Sequence, residues 1–262
     1  MLLRLAQKLL LAALLLAVTA PAHAADAPLT KDDVNKIVHD YIMEHPEDIL
    51  KSVQEYQDRM TKERQTTAMK ENSKDLFDED TPMVGNPKGD VTVVEFFDYN
   101  CGYCKKSFPD IKKLIDGDKN IRFLFKDFPI LGANSEKAAK WAFAAHKQNK
   151  YFEFHQAMMN NHLPINDELL EKIAKSAGMD IAAAKAYTEG ADALVLIERN
   201  RTLGSNMGIR GTPAFIIGDQ VIPGAADYDT LKKTVEEVRA KKGATPAADA
   251  PKADAKEEKK AD

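Results

Sequence analysis

The sequence predicts an α/β domain with a helical insertion, preceded by an α-helical arm, and three observations carry that expectation. Two β-branched and aromatic runs, 91–97 and 121–128, flank a stretch with helical spacing. A long, largely helical segment then separates them from a second strand pair near 213–222 and a last amphipathic helix. Ahead of these, residues 30–77 are mostly charged and polar, with one narrow apolar stripe. The 262 residues are 44% hydrophobic and 30% charged, with 13 Gly and 12 Pro, which excludes fibrous and wholly disordered classes. A formal charge of −4 argues against nucleic-acid binding, which needs a basic surface to neutralise phosphates.

Taken in order, residues 1–24 read as a secretory signal peptide: Arg4 and Lys8, an apolar run from Leu9 to Val18, and the small-residue site Ala22-His23-Ala24. Cleavage is expected after Ala24, and losing Arg4 and Lys8 makes the mature chain more acidic still. The run is shorter than the roughly 20 residues of a membrane span and no later segment approaches that length, so the mature protein is expected to have no membrane span. Its compartment is then an exported, oxidising one, most simply a periplasm.

Residues 25–81 form the expected arm. Thr30 and Asp33 suit a capping arrangement for a helix to about Glu44. Pro46, Glu47 and Asp48 open a second helix, predicted to reach about Phe77, because proline loses no hydrogen bond in a first turn and acids suit the positive helix end. Along it Ile49, Val53, Tyr56 and Met60 recur at spacings of four, three and four. So narrow a stripe resembles a coiled-coil seam, which points to an oligomerisation arm and a homodimer or homotrimer; the alternative is an arm packed on its own domain.

Residues 82–241 form the expected catalytic domain, with the helical insertion at about 133–206 and Pro82 to Gly89 as a turn-rich connection. Pro109 is expected to kink the helix after the first strand, and the last helix to end near Ala240. The stretch 242–262 is rich in Ala, Lys and acids and lacks Ile, Leu, Val and Phe, so it is expected to be a disordered tail.

The chemistry is expected at Cys101-Gly102-Tyr103-Cys104, which follows the first strand and opens a helix. Cys101 and Cys104 are the chain's only cysteines, and a bridge across so short a loop stabilises little. A structural zinc site would need two further ligands, and the histidines lack the paired spacing for it. A redox-active pair is therefore preferred over a metal site or an inert pair; no metal and no cofactor are expected, since two sulfurs carry both electrons. His155, Met158, Met159 and His162 allow a copper reading, but nothing in their spacing fixes a geometry.

The segment Phe96-Phe97-Asp98-Tyr99-Asn100-Cys101-Gly102-Tyr103-Cys104 and the later Gly211-Thr212-Pro213, in this order and so widely separated, resemble the DsbA-like branch of the thioredoxin superfamily over roughly 84–240. With the helical arm, the chain is similar to the ScsC and oligomeric DsbA subgroup. The resemblance implies a thioredoxin-like fold and a thiol-disulfide oxidoreductase acting on exported cysteine-containing proteins. It implies that Thr212 and Pro213 form a cis-proline loop beside the cysteines, a trans turn being the alternative, and offer backbone groups to substrate, with Gly102 and Tyr103 at the intervening, substrate-binding sites. It also places Glu95 where the family carries a buried acid used in proton handling; the alternative is a solvated surface Glu.

A thiol at a helix start meets unpaired N–H groups and the positive dipole end, which favour thiolate, so Cys101 is expected to attack and Cys104 to resolve. Lys126 is a weaker candidate for a neighbouring charge. If the arm assembles several copies, a disulfide isomerase or reductase kept reduced by a DsbD-type partner follows. If the arm folds back, a DsbA-like oxidase recharged by a DsbB-type partner is the better reading. A third reading is an envelope holdase with secondary redox activity.

Overall fold

The computed structural model describes residues 28–244. The predicted signal peptide, its cleavage site and residues 245–262 of the predicted tail lie outside the described residues. The chain divides into two compact units, the first ending at Arg59 and the second beginning at Met60.

In the first unit, α1 (Lys31–Glu44) starts at a full capping box: Asp33 N donates to Thr30 Oγ1 at 3.2 Å, and Thr30 N donates back to the Asp33 carboxylate at 3.0 Å. The chain breaks at His45 and α2 (Pro46–Glu71) begins on the proline. Val34, Ile37, Val38 and Tyr41 of α1, with Ile49, Val53 and Tyr56 of α2, are exposed.

The second unit contains the sheet and starts within α2. The sequence reading runs one helix to Phe77; instead α2 stops at Glu71, where Asn72 Nδ2 donates to the Ala68 carbonyl at 2.8 Å, and a short α3 (Ser73–Leu76) follows. The Ala68 carbonyl also accepts the Asn72 backbone N–H at 2.9 Å, so backbone and side chain of Asn72 both close on the last turn of α2. Met69 and Leu76, from the stretch read as arm, are buried against the sheet.

The remaining elements are β1 (Met83–Gly85), β2 (Val91–Phe97), α4 (Gly102–Gly117), β3 (Ile121–Asp127), α5 (Ala133–Lys147), α6 (Tyr151–Met159), α7 (Asp167–Ser176), α8 (Ile181–Glu189), α9 (Ala191–Asn206), β4 (Ala214–Ile217), β5 (Gln220–Pro223) and α10 (Tyr228–Ala244). They form a five-stranded sheet ordered β1-β3-β2-β4-β5, in which only β2 and β3 are parallel, joined through α4. The connection 82–89 is not all turn: Met83–Gly85 pairs antiparallel with β3 at the sheet edge. Helix α4 runs on through Pro109, and α10 extends past the expected end to Ala244. Gly218, at φ +60°, and Asp219 make the two-residue turn between β4 and β5, a geometry that suits the twist of a hairpin.

Alternation along β2 and β3 fills both faces. Val93, Phe97, Phe123 and Phe125 pack with Phe108 and Ile111 of α4, Phe154 and Met158 of α6, and Leu231 and Val235 of α10. Val94, Phe96 and Leu124 pack with Met69, Leu76, and Leu203 and Met207 at the end of α9. Burial on both faces explains why β2 is read as an almost unbroken apolar run. It also places Glu95, Lys126 and Asp127 in the core on one side or the other, while Thr92 and Arg122 near the strand starts are only partly buried.

Candidate active site

Strand β2 ends in a loop built on Asp98, whose buried carboxylate accepts N–H groups from Asn100 (2.8 Å), Ile130 (2.8 Å) and Leu131 (2.9 Å). The Asp98 carbonyl accepts Cys101 N at 3.0 Å, and Asn100 Nδ2 donates to Ser135 Oγ at 2.9 Å. This lattice delivers Cys101 to the N-cap of α4, where its sulfur accepts the Cys104 N–H at 3.4 Å. The two cysteines are unbridged thiols, and the Cys101 thiol points to the Thr212 carbonyl oxygen 3.1 Å away. The Thr212–Pro213 peptide is cis.

These contacts separate the two thiols. Hydrogen bonding from the Cys104 thiol, helped by Thr212 and by the N–H groups of Cys104 and Tyr103, outweighs burial and lowers Cys101 to about 5. Burial pushes Cys104 far up, reinforced by its bond to Cys101 and by Glu95. Gly102 and Tyr103 are exposed between them; no atom stands within 4 Å of a Cβ built on Gly102. A cleft of about 290 Å³ runs beside the Thr212–Pro213 loop, lined by Met207, Ile209, Arg210, Val221 and Pro223 among others.

Glu95 is wholly buried on the cysteine side of the sheet, which answers the solvated alternative. Neither carboxylate oxygen has a hydrogen-bond partner, and burial, with smaller contributions from Cys101 and Asp127, raises it to about 8. Lys126 does not join it. Its place between Phe125 and Asp127 turns it to the opposite face, where Nζ donates to the Asp75 carbonyl (2.7 Å) and Thr81 Oγ1 (2.6 Å), and burial lowers it to about 8. The potential copper set is not assembled: Met158 and Met159 are core residues, His155 sits among aromatic rings, and His162 is exposed. Among the described residues no group of three or more His, Cys, Asp or Glu has a metal-holding arrangement.

Sequence reasoning missed Asp127 and Lys105 near the cysteines, and read His155 only as a copper candidate. Asp127 ends β3 on the same face as Glu95, wholly buried; its Oδ2 accepts the Tyr151 hydroxyl at 2.9 Å, Oδ1 has no partner, and burial raises it to about 8. His155 Nδ1 lies 3.1 Å from the Tyr99 hydroxyl, and burial lowers its ring to about 3, so it is neutral. Lys105, half-buried in the first turn of α4, donates to the Asn161 carbonyl at 2.7 Å and faces Asp98 and Cys101. The available signal was register: a carboxylate at an inward position of a strand buried on both faces.

Residues 92–236 match the family described as DSBA-like thioredoxin domain, and residues 31–63 match the copper resistance protein ScsC N-terminal domain. The chain therefore belongs to the DSBA-like thioredoxin family and is a thiol-disulfide oxidoreductase of the DsbA and ScsC type. Disulfide bond formation protein D of Bacillus subtilis is 29% identical over 167 residues, covering 59% of this chain and 75% of that one. The thiol-disulfide exchange protein α-DsbA2 of Wolbachia pipientis superposes with a TM-score of 0.64 at 35% identity, over 70% of this chain and 98% of its own. A Proteus mirabilis ScsC variant superposes at 0.66 with 27% identity, over 83% of this chain and all of its own. No helix among the described residues is long and apolar enough to cross a membrane.

Proposed function

We propose that this member of the family is an exported disulfide isomerase or reductase that handles cysteine-containing proteins through a mixed disulfide at Cys101. The observation that carries the chemistry is the asymmetry of the two thiols: Cys101, at the N-cap of α4, is lowered to about 5, while Cys104 is sealed in the core. In the reducing direction the Cys101 thiolate attacks a substrate disulfide and releases one substrate thiolate. Cys104 then displaces the second while its own proton passes to a base, leaving the pair oxidised and the substrate reduced by two electrons. Glu95 is that base, and Thr212–Pro213, beside Cys101, aligns an extended substrate strand along the adjoining cleft.

The isomerase direction rests on the arm. Exposed Val34, Ile37, Val38 and Tyr41 on α1, and Ile49, Val53 and Tyr56 on α2, recur at helical spacing on a segment matching the ScsC N-terminal domain. A second and third copy of the arm would cover them, and several cysteine pairs would share one space. The opposing reading, a DsbA-like oxidase, is favoured by the lowered Cys101, because a stabilised thiolate makes the disulfide a stronger oxidant. The export route is supported by the signal-like first 24 residues and by a similar protein from Salmonella enterica described as periplasmic.

The test is the redox state of Cys101–Cys104 in intact cells, trapped with acid and a mass-adding maleimide. A mostly reduced pair supports a reductant-maintained isomerase or reductase; a mostly oxidised pair replaces that reading with the oxidase. For assembly, a chain starting at Met60 keeps Met69 and Leu76 in the core and removes the exposed stripes. Its mass in solution is expected to be monomeric against an oligomeric full chain, and equal states for the two chains would sink the oligomerisation arm.

A further inference from the structure

Glu95 and Asp127 stand on the same face of neighbouring parallel strands, two registers apart, since Glu95 pairs with Phe125 and Phe97 pairs with Asp127. Both are wholly buried, and three of their four carboxylate oxygens have no hydrogen-bond partner. The fourth, Asp127 Oδ2, is held by the Tyr151 hydroxyl at 2.9 Å. The groups facing the pair hold no close compensating cation. From the β2 end come Asp98 and Tyr99, from α4 Cys101, Cys104 and the distant Lys105, and from α6 Tyr151 and a neutral His155 bonded to Tyr99. His146 of α5 stands edge-on to Tyr151, while Lys126 is turned to the other face of the sheet. Two carboxylates in one apolar pocket without a cation resist ionising together, so the charge of each governs the proton of the other.

We propose that Asp127 is a positioning residue for proton transfer: its charge, held by the Tyr151 hydroxyl, sets whether Glu95 is free to take the proton of the Cys104 thiol. This rests on the reading of Glu95 as the base of the resolving step. In that step the Cys104 S–H bond breaks and its proton moves to a Glu95 oxygen. The Cys104 sulfur bonds to Cys101, and the Cys101–substrate bond breaks with both its electrons leaving on the substrate sulfur. A charged Asp127 holds Glu95 protonated and stalls the step; a neutral residue at 127 lets Glu95 ionise at lower pH. Tyr151 works in the same direction, because its hydroxyl stabilises the Asp127 anion.

The test uses the reduced full chain mixed with excess glutathione disulfide. The glutathionylated Cys101 species is quenched with acid over time and quantified by mass spectrometry across pH 5 to 9. The resolving step in the wild type is expected to accelerate with pH through an inflection. Asp127→Asn is expected to move that inflection down by about one pH unit, making the step several-fold faster around the wild-type inflection while leaving the acid limb, where Asp127 is itself protonated, unchanged. Tyr151→Phe is expected to move it the same way by less, and decides the question alone if Asp127→Asn does not fold. Adding Asp127→Asn to Glu95→Gln is expected to shift nothing further. An inflection that survives Glu95→Gln overturns the Glu95 reading itself; one lost in Glu95→Gln but unmoved by Asp127→Asn and Tyr151→Phe overturns the role of Asp127 alone.

Discussion

The two faces of the central sheet each bury an ionisable side chain, and treat it in opposite ways. Lys126 projects to the side of Leu76 and Leu203, where two of its three N–H donors are met by the Asp75 carbonyl and the Thr81 hydroxyl, and Asp75 and Asp78 hold Arg199 beside it. Glu95, one residue earlier on the facing strand register and on the opposite side, has neither oxygen satisfied. A buried polar group with partners fastens structure, here the link between α3, the 78–81 turn and β3. A buried carboxylate without them lowers stability and persists where its proton affinity is of use. The face with the unsatisfied acids is the one that carries the cysteines.

That contrast predicts chemistry from one face and stability from the other. The largest effect belongs to the cysteines. Cys101→Ser is expected to abolish disulfide exchange, a loss of at least about a thousandfold. Cys104→Ser is expected to keep the first attack and accumulate mixed disulfides, both read by non-reducing mass spectrometry of the protein mixed with a disulfide peptide. Next, Glu95→Gln is expected to slow the resolving step by about 10- to 100-fold near neutral pH while stabilising the fold. The sign follows from the raised value: the folded carboxyl, near 8, holds its proton above the ordinary carboxylate range near 4, so wild-type stability is greatest below that range and falls as pH rises toward 8. Urea melts should therefore show Glu95→Gln more stable than wild type at pH 8, with the difference vanishing near pH 4.

Lys126→Met tests the other face. It leaves the Thr81 hydroxyl and Asp75 carbonyl without their donor and is expected to lower stability by about 2 kcal/mol, with the pH profile of exchange unchanged. A changed profile would break the division between the faces. The smallest effect is expected at Thr212→Val, which removes a hydroxyl that helps hold the Cys101 thiolate while keeping the loop carbonyl. The Cys101 thiolate absorbance should then titrate about half a pH unit higher.

Much of this was legible before any coordinates. The buried run 91–97 and the cysteine motif at a helix start rest on local patterns, the cis Thr212–Pro213 bond on the family resemblance, and each stands where the sequence placed it. Met83–Gly85 escaped notice because three residues between a proline and an asparagine turn carry no periodicity; pairing with β3 alone makes them a strand. The end of α2 falls at Asn72, a break that the polar, helix-compatible residues around it do not signal. Lys126 was read as a possible neighbour of the cysteines because its face depends on the register of β3, which the residue type does not disclose. Asp127 was missed for a related reason: an acid at a strand end usually meets water, and its partner Tyr151 stands 24 residues away on another element.

The two thiols differ in acidity and exposure, and site-resolved alkylation of the reduced chain measures that difference directly. Labelling by iodoacetamide across pH 3 to 9, assigned by mass spectrometry, should give Cys101 an apparent midpoint near 5 and leave Cys104 unmodified throughout. A Cys101 midpoint near that of an ordinary thiol, or labelling of the two cysteines at equal rates, would contradict it.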